Sequence, residues 1–172
     1  MVKISHVCVL SLDITAHGHI AFAVLEGPER LVDWGVAYIR DKSKHTLAER
    51  VESLFWRYIP DLLVLEAPEG EGSRKGPRAK TYIHRIEVFA RAKTLPLRKV
   101  SRRDVSVAFG ESRKNKQEIA EAIARHFPEL EEGLPDVREP WESEAERMNI
   151  FDAVSFALAV YRNPEDLEEI AA

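Results

Sequence analysis

Three carboxylates interrupt segments that are otherwise apolar: Asp13 in VCVLSLDITAHGHIAFAVL, Glu66 at the end of DLLVLEAP, and Asp152 in IFDAVSFALAV. A carboxylate taken out of water is costly unless a hydrogen bond, a cation or a metal offsets the loss. Each has a purely structural explanation. Asp13 can cap the turn after its strand through its own backbone, and any of the three can pair with one of the many Arg residues. If the three converge, different chemistry becomes available. Grouped oxygen ligands suit hard cations such as magnesium or manganese, and two such ions can activate a water and stabilise the leaving oxygen in phosphodiester cleavage. The pattern alone leaves both readings open.

Convergence depends on the elements that carry these residues. Val7 to Leu25 reads as a hairpin: Val7, Val9, Ile20, Phe22 and Val24 favour strands, and HisGlyHis at 17–19 supplies the turn. Leu31 to Arg40 reads as a third strand, antiparallel to the second across the turn at Gly27 and Pro28. A helix begins at Thr46 with the capping box ThrLeuAlaGlu, buries Leu47, Val51, Leu54, Phe55 and Tyr58, and stops at Pro60. Asp61 to Glu66 has the pattern of a short parallel strand covered on both faces. Ala67 to Lys80 is a Gly, Pro and basic loop, long enough to be functional. Next come a helix from Thr81 to about Lys93, a strand from Leu97 to Val100 and a short helix from Ser101 to Phe109. An amphipathic helix from Lys114 to Phe127 precedes an acidic, Pro-rich surface loop over 129–144. The last helix, Glu146 to Tyr161, is apolar nearly all round and therefore buried, and an acidic tail follows over about 163–172. The series implies one α/β domain over 1–172. A sheet with its first strand beside its fourth would bring Asp13 and Glu66 towards Asp152.

With 45% hydrophobic and 31% charged residues in 172, the chain can bury a core of its own. No run approaches the roughly 18 uncharged apolar residues of a membrane helix, and MVKISH is not a signal peptide, so a cytoplasmic location with no membrane partner is expected. A lone cysteine, Cys8, excludes a disulfide framework and a cysteine zinc cluster, and His17 and His19 have no third ligand at a recognisable spacing. The net charge of −4 conceals an asymmetry, because from Arg74 to Arg103 the lone acid among many Lys and Arg is Glu87, while 129–146 is acidic. A basic central third is the footprint that phosphate backbones require, although ordinary solvated charges would look the same. The candidate backbone contacts are Arg74, Lys75, Arg78 and Lys80, in the loop directly after Glu66, and Arg85, one turn into the next helix.

These segments, together with YIPDLLVLEAP, RIEVFARAKTLPLRKVSRRDV, GESRKNKQEIAEAI and ERMNIFDAVSFALA, resemble the RuvC-type Holliday junction resolvases of the RNase H-like superfamily over most of the chain. The resemblance implies an RNase H-like mixed five-stranded sheet, its first three strands antiparallel, flanked by helices. It also implies an endonuclease that resolves four-way DNA junctions in recombination and repair, as a homodimer, with two Mg2+ or Mn2+ ions. By the same resemblance Asp13, Glu66 and Asp152 match the catalytic, metal-binding acids, and Lys116 matches a basic residue at the start of the helix after the glycine turn. The fourth family acid is replaced by Asn149, three residues before Asp152 on the same helix face, whose amide oxygen can ligate a metal without bringing charge. Glu146, a further turn upstream, is the other candidate. Two departures bear on substrate. The loop after Glu66 lacks the aromatic wedge these resolvases place there, and the glycine expected soon after the first Asp is displaced to Gly18.

Three functions follow from different classes. The first is a metal-dependent nuclease for Holliday junctions. The second is a RuvC-like protein that binds nucleic acid, or cuts other branched DNA or RNA, with weakened junction specificity. The third, a nucleotide-dependent phosphotransfer enzyme, needs a Gly-rich phosphate loop that is missing after either strand, so no nucleotide cofactor is expected.

Overall fold

Alternation along the first strand decides which residues meet which layer. The computed structural model describes residues 6–15, 17–39, 47–110, 115–139, 141, 145–163, 165 and 167. Strands β1 (Cys8–Ile14), β2 (Ile20–Glu26), β3 (Leu31–Ala37), β4 (Leu62–Glu66) and β5 (Leu97–Val100) form one sheet in the order β3-β2-β1-β4-β5. β1–β2 and β2–β3 are antiparallel, while β1–β4 and β4–β5 are parallel. The first strand therefore lies beside the fourth, as the apolar pattern of both requires: each is central and covered on two faces.

Leu10, Leu12, Ile14, Leu63 and Leu65 point to one side and pack under helices α1 (Leu47–Tyr58) and α2 (Pro77–Ala92). Their alternates Val9, Leu62 and Val64 point to the other side, where they meet α3 (Arg102–Ala108), α4 (Lys116–His126) and α5 (Met148–Arg162). Helix α5 is the centre of that layer, buried without a break from Phe151 to Tyr161. Its axial position is tied to the sheet by the Tyr161 hydroxyl, which lies 2.6 Å from the Val7 carbonyl and 3.0 Å from that of Leu25, and accepts from the Gly27 N–H at 3.1 Å.

Several element bounds differ from the sequence expectations. β3 ends at Ala37, opposite Ile20, because β2 offers no partner beyond it; the Ile39 N–H donates to His19 Nδ1 instead. α2 starts at Pro77 rather than Thr81, since proline at the first helical position has no N–H to waste and its φ is already helical. α4 is capped by Asn115, whose side chain accepts from the Glu118 N–H while the Glu118 carboxylate accepts from the Asn115 N–H. α5 begins at Met148, so Glu146 precedes it. The acidic segment contains a 3₁₀ turn over Pro128–Gly133, with Leu130 buried. Arg40, Thr46, Lys114 and most of the acidic tail lie outside the described residues. Among the described residues no helix is long and apolar enough to cross a membrane.

Candidate active site

Leu12 is the register partner of Leu65, so Asp13 and Glu66 are the next residues on two adjacent parallel strands. Both leave the sheet on the side opposite those leucines, towards α5, whose Asp152 faces them from one turn into the helix. The three acids are buried, at 0%, 2% and 4% relative exposure, and they do meet.

They meet through cations. Lys75 Nζ lies 2.6 Å from Asp13 Oδ1 and 3.2 Å from Glu66 Oε2, and also donates to the Ile14 carbonyl at 2.6 Å. Arg102 forks between the other pair: Nη1 and Nη2 donate to Asp152 at 2.6 and 3.1 Å, and Nε and Nη2 donate to Glu66 at 3.3 and 3.2 Å. Lys116, the first residue of α4, donates to Asp152 Oδ2 at 2.8 Å. Three carboxylates thus face three cations. No group of three or more His, Cys, Asp or Glu side chains among the described residues is arranged to hold a metal ion.

The electrostatics follow from burial and pairing. Burial is the largest influence on Asp13 and pushes its carboxyl up to about 6; Lys75 opposes this, and Asp152 and Glu66 add to it. Burial would raise Asp152 too, but Arg102 and Lys116 outweigh it and hold that carboxyl below its usual range. Lys75 and Arg102 are disfavoured as cations by burial, yet their acid partners push both above their ordinary values. Two oxygens stay unmatched: Asp13 Oδ2 and, two residues earlier on the same face, Ser11 Oγ are buried with no hydrogen-bond partner among the described residues.

Glu66 and Asp152 floor an open cleft of about 1750 Å3, larger than the roughly 300–1,000 Å3 of a small-molecule pocket, and Asp13 lies buried beside them. Its walls are predominantly basic: Arg74, Arg78, Lys116, Arg138 and Arg147 line it against Asp136 and Glu146, with Trp141 at 80% exposure among them. The sequence-predicted residues divide accordingly. Asp13, Glu66, Asp152 and Lys116 come together. Asn149 lines the same cleft, with its amide N–H donating to the Glu146 carbonyl at 3.0 Å, which leaves its amide oxygen as the atom able to ligate. Glu146 lines the cleft as well, but its carboxylate accepts from the Tyr38 hydroxyl at 3.3 Å. Of the five proposed backbone contacts, Arg74 and Arg78 are exposed on the cleft wall. Lys75 is instead drawn into the acidic cluster, its side chain 12% exposed, because the two acids beside it are stronger partners than water. Lys80 pairs with Glu69 at 2.8 Å and Arg85 is exposed on α2, neither lining the cleft.

Sequence reasoning gave no role to Arg102, Arg138 or Arg147. A signal for the first was present: Val100 pairs with Glu66, so a residue two places beyond the end of β5 starts beside the fourth-strand acid. Arg138 was hidden in a segment whose average charge is negative, and Arg147 at the start of the expected last helix.

No family model matches the sequence, and no curated protein sequence is significantly similar to it. Solved structures do match. The Thermus thermophilus RuvC structure superposes with a TM-score of 0.66 over 92% of this chain and 95% of that one, at 18% identity. The fold is that of RuvC. Thermus thermophilus RuvC in complex with a Holliday junction substrate matches at TM-score 0.65 and 18% identity, over 93% of this chain and 96% of that one. The yeast mitochondrial Holliday junction resolvase Ydc2 matches at 0.52 and 12%, over 95% and 83%. The sheet, with β1–β3 antiparallel and β4 and β5 added in parallel, is thus the architecture that the family resemblance of the sequence implies.

Proposed function

We propose that this chain is a divalent-metal-dependent endonuclease of branched DNA, acting on four-way junctions, in the cytoplasm and as a homodimer. The observation that carries the reading is the convergence of Asp13, Glu66 and Asp152, with Glu66 and Asp152 lining a largely basic cleft and Asp13 buried beside them behind Lys75. The RuvC structures sharing this fold include one solved with a Holliday junction substrate, which favours branched DNA over other polyanions.

The donor set fits a hard divalent cation. It offers carboxylate oxygens, a main-chain carbonyl at Ile14, an unmatched buried oxygen on Asp13, and a stand-in cation, the Lys75 ammonium, already seated among them. Asp13 and Glu66 would hold the ion, with Asp152 and the Asn149 amide oxygen in the same cleft as further oxygen ligands available to a divalent cation. When bound, Mg2+ or Mn2+ supplies the charge that lowers the pKa of a water and stabilises the phosphate oxygens during hydrolysis. The remaining work falls to the chain. Arg74, Arg78 and Arg147 hold phosphates flanking the scissile one and fix its register over the acids. Lys116 spans from Asp152 to the cleft with 39% of its side chain exposed, so its ammonium can donate to a phosphate oxygen where negative charge grows. The Tyr161 anchor keeps α5, and with it Asp152, from sliding relative to β1.

A second reading, binding without efficient cutting or cutting of other branched DNA or RNA, is favoured by the neutralised state of the three acids. Purified protein should be incubated with a labelled synthetic four-way junction, a fork, a linear duplex and a branched RNA, with and without Mg2+. Metal-dependent nicking of the junction ahead of the others, lost in Glu66→Gln, supports the nuclease. Tight junction binding with no nicking at any Mg2+ or Mn2+ concentration would leave only the binding protein.

A further inference from the structure

The two cations between the acids are not held alike. Lys75 sits in the irregular segment 67–76 and reaches the acids with a single ammonium on a four-carbon stem. Its three nearest oxygens, from Asp13, Glu66 and the Ile14 carbonyl, form the kind of oxygen cage a hard divalent ion accepts, and Asp13 Oδ2 adds an unmatched donor.

Arg102 is built in. It opens α3, whose start is locked reciprocally: Ser101 Oγ accepts from the Asp104 N–H at 3.1 Å, and the Asp104 carboxylate accepts from the Ser101 N–H at 2.8 Å. The loop after β4 packs directly on this start. A Cβ at Gly70 would come within 2.9 Å of Ser101 Cβ, and one at Gly72, where φ is +82°, within 3.2 Å of Arg102 Cβ. The guanidinium lies 5.0 Å over the ring of fully buried Phe156 and makes four contacts of 2.6–3.3 Å to two carboxylates. A planar fork that never loses its charge, stacked below and bonded on two sides, does not leave as an ammonium on a flexible stem can.

We infer that Arg102 is a permanent cation of the site, filling the place between Glu66 and Asp152 that a second divalent ion would take, so that each chain binds one divalent ion, at Asp13 and Glu66, in exchange for the Lys75 ammonium. The inference deepens the nuclease reading and rests on it for the identity of the ion. Charge balance points the same way. With Lys75 displaced and one divalent ion admitted, the three acids together with Arg102 and Lys116 carry a single net positive charge. A second ion would raise that to three positive charges within the same buried volume, with Arg102 still inside it.

The test is the number of ions bound, read independently of cleavage. Mn2+ binding to the full chain without DNA is measured by the loss of the free-ion EPR signal, for wild type, Arg102→Gln, Lys75→Gln and Glu66→Gln. The expected result is one Mn2+ per chain for wild type, two for Arg102→Gln, one for Lys75→Gln bound at least about tenfold more tightly because its competitor is gone, and markedly weakened binding for Glu66→Gln. Two ions in wild type, or one ion in a folded Arg102→Gln, overturns the inference. Should Arg102→Gln unfold, the anomalous difference map of Mn2+-soaked wild-type crystals decides: a single peak at Asp13 and Glu66 supports it, and a peak between Glu66 and Asp152 overturns it. Wild type that binds two ions and nicks the junction removes the inference alone. Wild type that binds none removes the divalent-ion reading with it.

Discussion

Replacing Asp13 by Asn should make the protein more stable while abolishing cleavage, and the gain should depend on pH in a way that identifies its source. Asn keeps the shape of Asp and removes the charge. In the folded protein burial raises the Asp13 carboxyl from 3.8 to about 6, with Lys75 only partly compensating. That difference corresponds to about 3 kcal/mol by which the ionised group disfavours the folded state. The sign follows from proton uptake. A raised carboxyl pKa means the folded chain holds its proton more tightly, so the cost is absent below the unfolded value, grows as pH rises between 3.8 and about 6, and is constant above that. Asn carries no such cost at any pH. Part of the gain is returned because Lys75 keeps only Glu66, at 3.2 Å, and the Ile14 carbonyl. A net gain of about 1–3 kcal/mol near neutral pH remains, which for a chain of this length raises Tm by about 2–12 °C. Thermal melts of both proteins in EDTA, at about pH 7.5 and about pH 4, measure it; at the lower pH the gain should shrink to under about 1 kcal/mol. A variant less stable than wild type near neutrality, or a gain that does not shrink on acidification, would refute the view that ionised Asp13 strains the fold.

The cleft walls predict how DNA binding responds to charge removal: Arg74→Ala and Arg78→Ala should each flatten the dependence of log affinity on log salt by about one, whereas Lys80→Ala and Arg85→Ala should not, as fluorescence anisotropy across a salt series would show. Lys116→Ala should lower single-turnover cleavage by about 10²–10³ while junction affinity changes by no more than about twofold, because its donor acts where charge develops. Asn149→Asp should preserve or raise metal-dependent cleavage by adding a ligand charge. A severe loss in that variant would assign Asn149 to its hydrogen bond with the Glu146 carbonyl.

Residues whose role is fixed by local pattern were legible in the chain. The run ending at Glu66 had the pattern of a strand covered on both faces, β1 was apolar but for Ser11 and Asp13, and α5, apolar nearly all round, had to be buried, so the three acids interrupting them could be picked out before any contact was known. Capping chemistry at Ser101 could be read in the same way. What the sequence could not supply was long-range pairing. Lys75 looked like one of four loop cations, and only the position of Asp13 beside Glu66 turns it inward. Arg102 was one basic residue among many between Arg74 and Arg103 until the β4–β5 register placed it over Glu66 and Asp152. Arg138 lay in an acidic stretch and Arg147 at the start of the expected last helix, and mean charge says nothing of which side chains face a cleft.

The arrangement also explains why acids and bases gather at this edge of the sheet. β1, β4 and β5 are mutually parallel, so their carboxyl ends lie along one edge, and the chain leaves β4 and β5 there through the segment carrying Lys75 and through Ser101 into α3. Open α/β sheets place their ligand sites at that edge because loops and helix starts converge there while the strands themselves stay rigid. The acids come from two strands and a buried helix, and the three cations from a loop and the starts of α3 and α4. Each cation offsets part of the desolvation that its carboxylate would otherwise suffer, so the fold can hold three acids under the cleft without a metal. Nuclease chemistry then requires that at least one of those cations yield its place, and Lys75 is the one whose tether permits it.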